Sequence, residues 1–258
     1  MARNVPEGPP PPPVVQRVRL RYAKRGRLRF TSHRDFARSF ERALKRADVP
    51  MGYSAGFTPH PKISYVGAAP TGVASEAEFL EIGLAREVDL EALRAAIDAA
   101  LPDGLDIVEA VVAGPGSFAE RMQASRWRIE LPGVLEPEAR AAVTAFLACT
   151  EFGVERLTKD GKRTIDARTP VVSLTVSDSA APTVSRAGVG PDAAPRAILD
   201  MVVRQVTPTV RPDDVLAALR SVAGLALSAP PVAVRLAQGP LDDAGEVGDP
   251  LVPDRASA

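Results

Sequence analysis

Between Arg17 and Val112 the apolar residues change spacing in an order that few folds accommodate. Val18, Leu20 and Tyr22 fall on one parity, and Leu28 and Phe30 continue it past a turn at Lys24, Arg25 and Gly26. Arg17, Arg19, Arg21, Arg27 and Arg29 fall on the other, which predicts a bent, half-buried strand with one apolar and one arginine-lined face. Phe36, Phe40, Ala43, Leu44 and Ala47 then recur at helical spacing, opened by Ser32 with Asp35 three residues on as a capping box; Pro50 marks the expected end. A strand at Ile63 to Val66, another through EAEFLEIGL, a helix with Leu90, Leu93, Ile97 and Leu101, and a strand from Leu105 to Val112 complete the set. Strand, helix, strand, strand, helix, strand is the order of a split-βαβ, ferredoxin-like domain.

The second half repeats that order in topology but not in sequence. RWRIEL at Arg126 to Leu131 predicts a strand, and Glu136 to Cys149 a helix with Ala142, Val143, Phe146 and Leu147 on one stripe. Phe152 to Arg156 and Thr164 to Val176 flank the turn Lys159-Asp160-Gly161-Lys162 as a hairpin-like pair. A loop from Asp178 to Pro195, a strand at Ala197 to Val206, a helix at Pro212 to Val222 and a strand at Val232 to Leu236 follow. The expectation is an α+β protein of two tandem ferredoxin-like domains, 16–114 and 115–237. A disordered proline-rich arm over 1–15 and a disordered tail over 238–258 are expected to flank them. No window approaches the ~18 apolar residues of a membrane helix, and the start lacks an apolar signal region. These features predict a cytoplasmic protein without membrane contact. The single cysteine, Cys149, sits in an apolar helical pattern, so no disulfide within the chain is expected and an inert buried thiol is.

Lys and Arg balance Asp and Glu at 32 each, which argues against a generically basic nucleic-acid coat, but the charges are segregated. From Arg17 to Lys62 there are thirteen cations against three acids; from Ile63 to Ala113 there are two against ten. Two readings are open: a face that meets phosphate, or segments that neutralise each other in the fold. Arg34, Arg38, Arg42 and Lys45 repeat at three- and four-residue steps and form a ridge on the helix side away from the core. The loop after it, MGYSAGFTPHPKISY, adds Tyr53, Phe57, His60 and Lys62. Phosphate contacts need cations on a preformed surface, and bases need donors, acceptors or aromatic faces, so these residues are candidates for nucleic-acid binding. The open face of a ferredoxin-like sheet would be a further stacking surface. Lys159, Lys162, Arg163 and Arg168 around Gly161, with Arg211 before a later helix, make a second basic group, expected to line one cleft with the first. Ordinary solvated turns and helix faces are the plainer alternative.

His33 and His60 are the only histidines, and histidine is the side chain that exchanges protons near neutral pH; they are weak catalytic candidates. Neither lies in recognisable metal-ligand spacing, and the chain has neither GxGxxG nor GxxxxGK[ST], so no metal or other cofactor is expected.

SHRDFARSFERALKRADVP, YSAGFTPHPKIS, APTGVASEAEF, KDGKRTIDAR and RPDDVL together resemble the radical-SAM-linked (radical-SAM-associated) protein family, a bacterial domain family of unknown function. The resemblance covers roughly Arg17 to Val222. It implies a domain fused behind a cobalamin-binding radical-SAM enzyme in some lineages and separate from one in others. With Cys149 alone and no CxxxCxxC, this chain cannot itself hold the iron–sulfur cluster of that chemistry, which makes it the companion and not the catalyst. The expectation is an RNA-binding accessory protein that presents tRNA or rRNA to a separate radical-SAM enzyme. The alternatives are a metal-free RNA-processing or RNA-modifying enzyme using His33 or His60, and a protein-interaction module that docks on an acidic partner.

Overall fold

A computed structural model describes residues 11–158, 161–177 and 195–256. The chain forms two compact units: one is built from residues up to Arg121 together with Asp249 onward, the other from Met122–Gly248. Both mix helices with antiparallel strands, so the α+β expectation holds.

The first unit contains β1 (Gln16–Lys24), α1 (His33–Arg46), β2 (Ile63–Val66), β3 (Ala74–Leu84), α2 (Leu90–Ala100) and β4 (Leu105–Val112). β1 lies between β4 and β3, and β2 pairs along β3, so the unit's strands run in the order 4-1-3-2 with every pair antiparallel. The period-two pattern of β1 aims Val18, Leu20 and Tyr22 at the core, where they meet Phe36, Phe40 and Leu44 of α1, Leu93 and Ile97 of α2, and Leu80, Ile82 and Leu84 of β3. Both helices therefore cover one sheet face. Ser32 caps α1 as its spacing predicts, its Oγ accepting from the Asp35 N–H at 3.2 Å and donating to the Asp35 carboxylate at 2.6 Å.

Three sequence expectations change in this unit. β1 stops at Lys24, and Gly26–Phe30 is a 3-10 turn, leaving Phe30 59% exposed. Gly26 has φ +53, a left-handed conformation that breaks the strand. The arginine face is not a free surface. Arg19 is 2% exposed, and its guanidinium donates to Glu81 at 3.0 Å, Asp254 at 2.7 Å and the Gly116 carbonyl at 3.1 Å while lying 4.6 Å over the Phe118 ring. Residues 238–256 of the expected disordered tail are ordered: α5 (Val252–Arg255) is a single turn, Leu251 and Asp254 are fully buried, and Asp254 also accepts from Arg121 and the Gly114 N–H. So short a segment carries no periodicity to read; a buried ion pair holds it. At the other end Val15, assigned to the disordered arm, donates its N–H to the Leu84 carbonyl, although residues 1–10 lie outside those described.

The second unit contains β5 (Ala124–Pro132), α3 (Glu136–Leu147), β6 (Gly153–Thr158), β7 (Gly161–Asp166), β8 (Val171–Ser177), β9 (Arg196–Arg204), α4 (Pro212–Ala223) and β10 (Val232–Gly239). β10, β5, β9 and β8 form an antiparallel set in that order, again 4-1-3-2 within the unit, while β6 and β7 pair only with each other. The expected long strand from Thr164 to Val176 thus breaks in two. The Asp166 carboxylate accepts from the N–H groups of Phe152, Arg168 and Thr169, and Pro170 has no N–H to continue a ladder. Most of the loop from Asp178 to Pro195 lies outside the described residues. Cys149 is only partly buried and donates to the Ala145 carbonyl at 3.5 Å.

Candidate nucleic-acid interface

The segregated charges of the first unit divide into two populations. On the sheet, cations meet acids: Arg17 pairs with Glu81, and Arg25 with Glu76 and Asp106. On α1, Arg34, Arg38, Arg42 and Lys45 are exposed and make no ion pair among the described residues. The mutual neutralisation expected of the two segments is therefore seen at Arg17, Arg19 and Arg25, and not on α1 among the described residues. β1 is flanked by the acidic strands β3 and β4.

α1 ends in a way that builds the neighbouring loop. Ala47 is its C-cap, Asp48 takes the left-handed conformation at φ +48, and the Val49 N–H returns to the Leu44 carbonyl at 3.0 Å, with Asp48 N–H to Lys45 O at 3.3 Å. This closes a Schellman turn, which redirects the chain sharply and seats Val49 near Leu44. The next residues form a small ribbon instead of an open loop. Gly52 N–H donates to Gly83 O at 2.7 Å, Lys62 N–H to Gly52 O at 2.8 Å, Ser54 N–H to His60 O at 2.9 Å, and Tyr53 bridges to Pro61. Gly52 and Gly83 permit this close approach: a Cβ on either would lie 3.0 Å from the Val14 side chain. The ribbon's tip holds Phe57 out at 71% exposure, with Tyr53 at 37% and His60 and Lys62 also exposed.

Between the last turns of α1 and this ribbon is a cavity of about 250 Å³, bounded by Glu41, Lys45, Tyr53 and His60. A wider groove of about 690 Å³ runs from Arg42, Lys45 and Arg46 to the end of α2 at Ala99 to Pro102. Lys45 borders both. The helical spacing places it on the ridge, but only the turn after α1 makes it the junction of two hollows.

His33 lies at the other end of α1, its ring edge-on to Tyr65 at 4.9 Å between centroids. Two to three helical turns, roughly 12 to 18 Å, separate it from the turns that face His60, so the two imidazoles do not meet. The Tyr65 hydroxyl is shut from solvent with no hydrogen-bond partner among the described residues; burial, with the Glu41 charge adding to it, pushes its pKa well above the ordinary phenol range. No grouping of three or more His, Cys, Asp or Glu suited to a metal ion occurs among the described residues.

The second basic group is engaged in part. Lys162 pairs with Glu155 at 2.9 Å, and Arg168 donates to the Val171 and Leu147 carbonyls while lying 5.8 Å from the centroid of the Phe146 ring. Arg163 is exposed on β7, opposite Arg156, which is itself paired with Asp214; Arg211 is exposed ahead of α4, its N–H donating to Asp214. Lys159 lies outside the described residues. Burial of the Asp166 carboxyl would raise its pKa, but the three N–H groups aimed at it, with Thr169, hold it below the ordinary range. Of this group, Arg168 is built into the turn between β7 and β8.

The molecule is thus an α+β protein with an unpaired cationic helix face beside an aromatic-bearing ribbon. It belongs to a family described as an uncharacterized protein conserved in bacteria (DUF2344), whose model matches residues 17–212. No curated protein matches the chain. No helix among the described residues is long and apolar enough to cross a membrane.

Proposed function

We propose that this protein binds RNA, tRNA or rRNA, through α1 and the ribbon that follows it. The observation that carries the reading is the contrast in the first unit: Arg17, Arg19 and Arg25 are paired with acids, while Arg34, Arg38, Arg42 and Lys45 make no ion pair among the described residues and stand beside exposed Tyr53, Phe57, His60 and Lys62. Unpaired cations on a rigid helix supply phosphate contacts, and exposed aromatic rings supply base contacts. The reading rests on the first unit alone, because Lys162 and Arg168 of the second already have partners.

The resemblance of the motifs to the radical-SAM-linked family supports a role as the accessory that holds RNA for a separate cobalamin-dependent radical-SAM enzyme in the cytoplasm. The 4-1-3-2 strand order in each unit supports reading both as ferredoxin-like. The separation of His33 from His60 favours a binding protein over an RNA-cleaving enzyme built on that pair.

Filter binding to bulk tRNA at about 50 and 200 mM salt tests the proposal. A steep fall in affinity with salt is expected, and Arg38→Ala with Arg42→Ala should weaken binding and flatten the slope. Undetectable binding at low salt, or affinity indifferent to salt, overturns it.

A further inference from the structure

The cavity between α1 and the ribbon is shaped differently from a phosphate site. Leu44, Val49, Met51, Pro59 and Pro61 give it an apolar lining. Its polar groups are Glu41, Lys45, His60 and the hydroxyl of Tyr53. Glu41 is one of only two acids on α1, and Asp35, the other, is occupied by the Ser32 cap. Glu41 forms no ion pair among the described residues; it borders this cavity and also a smaller hollow that it shares with Arg38, Arg42 and Lys45. A carboxylate on an otherwise cationic surface repels phosphate, so electrostatics for backbone binding does not explain it.

We propose that this cavity accepts one unstacked guanine base of the bound RNA. The inference rests on the RNA reading above and extends it to the part of the RNA that is recognised. A carboxylate offers two adjacent acceptors, and among the four RNA bases only guanine offers two adjacent N–H donors, N1–H and the N2 amine, on its Watson–Crick edge. Lysine is a donor for guanine O6, the acceptor beside N1–H. Glu41 and Lys45, four residues apart on α1, present that acceptor and donor on one side of the helix. Adenine and cytosine pair a donor with an acceptor and uracil sets one donor between two acceptors, so each leaves Glu41 opposed by a lone pair. Tyr53 and the prolines cover the base faces, which is how single-stranded RNA is held when it is read base by base.

The test is fluorescence anisotropy with four short labelled RNAs: oligouridine, and the same chain with one central G, A or C. The full-length protein should bind the guanine-containing strand roughly tenfold or more tightly than the others. Glu41→Gln should reduce that preference to within about twofold while leaving the salt dependence unchanged. Arg34→Ala, on the ridge but away from the cavity, should instead weaken all four strands alike and flatten their salt dependence. Equal affinity for the four strands, or a guanine preference that survives Glu41→Gln, overturns the cavity assignment and leaves the RNA reading standing. Absence of binding to all four at low salt removes both.

Discussion

Asp254 is the residue on which most of the first unit's buried polar chemistry turns. It is fully buried and accepts from Arg19, Arg121 and the Gly114 N–H. Burial alone would raise its carboxyl pKa, but the hydrogen bonds from Arg19, Arg121 and Gly114 outweigh it and hold the group below the ordinary aspartate range. Asp254→Ala leaves the buried Arg19 with Glu81 as its remaining carboxylate and takes the carboxylate from Arg121, and urea unfolding should show a loss of about 3 kcal/mol. The pH dependence has a definite sign. Because the folded pKa is lowered, the stabilisation is complete above the unfolded value of about 3.9 and is lost as pH falls through the folded one. Asp254→Asn should therefore flatten the acid limb of stability below about pH 4, measured by denaturant midpoints across pH. Tyr65 is the opposite case. Its hydroxyl has no partner among the described residues, so Tyr65→Phe should leave the thermal midpoint unchanged or raise stability by about 1 kcal/mol.

At the scale of the element, α1 has two faces under different control. Phe36, Phe40, Ala43 and Leu44 pack inward, and the exposed cations contribute nothing to that packing. Arg38→Ala should shift stability by no more than about 0.5 kcal/mol in urea unfolding, yet lower the salt slope of single-stranded RNA binding by about 0.7. The end of α1 is also tunable. Asp48 takes a left-handed conformation that costs a side chain roughly 1 kcal/mol and costs glycine nothing. Asp48→Gly should raise the urea midpoint by an equivalent amount and keep the ribbon's position, seen as unchanged RNA affinity.

At the scale of the whole molecule, the chain leaves the first unit at Arg121 and supplies its last residues back to it from Asp249 onward. Arg255 binds Glu109 and Asp249, and Leu251 is fully buried, so the returning segment is held by apolar and ionic contacts beyond Asp254. Truncation after Gly248 should destabilise the first unit more than Asp254→Ala does, with urea unfolding as the readout. In the second unit, Arg168 serves the turn between β7 and β8 through the Val171 and Leu147 carbonyls. Arg168→Ala should lower the urea midpoint through the loss of those two hydrogen bonds.

The amino-acid sequence by itself determined the local elements: period-two spacing set the core face of β1, helical spacing and the Ser32 cap set α1, and both depend only on residues a few positions apart. It also placed Arg34, Arg38 and Arg42 on one helix side, since that follows from spacing. Only the tertiary structure decided which cations are free. Arg19 and Arg38 look alike in the chain, but Glu81 and Asp254, 62 and 235 residues from Arg19, claim it, and no carboxylate among the described residues pairs with Arg38. The order of the terminal segment, the splitting of 164–176 and the placing of Glu41 beside Tyr53 and His60 share that origin. Each is fixed by a contact between residues far apart in the chain, and such contacts leave no periodic trace in the sequence that makes them.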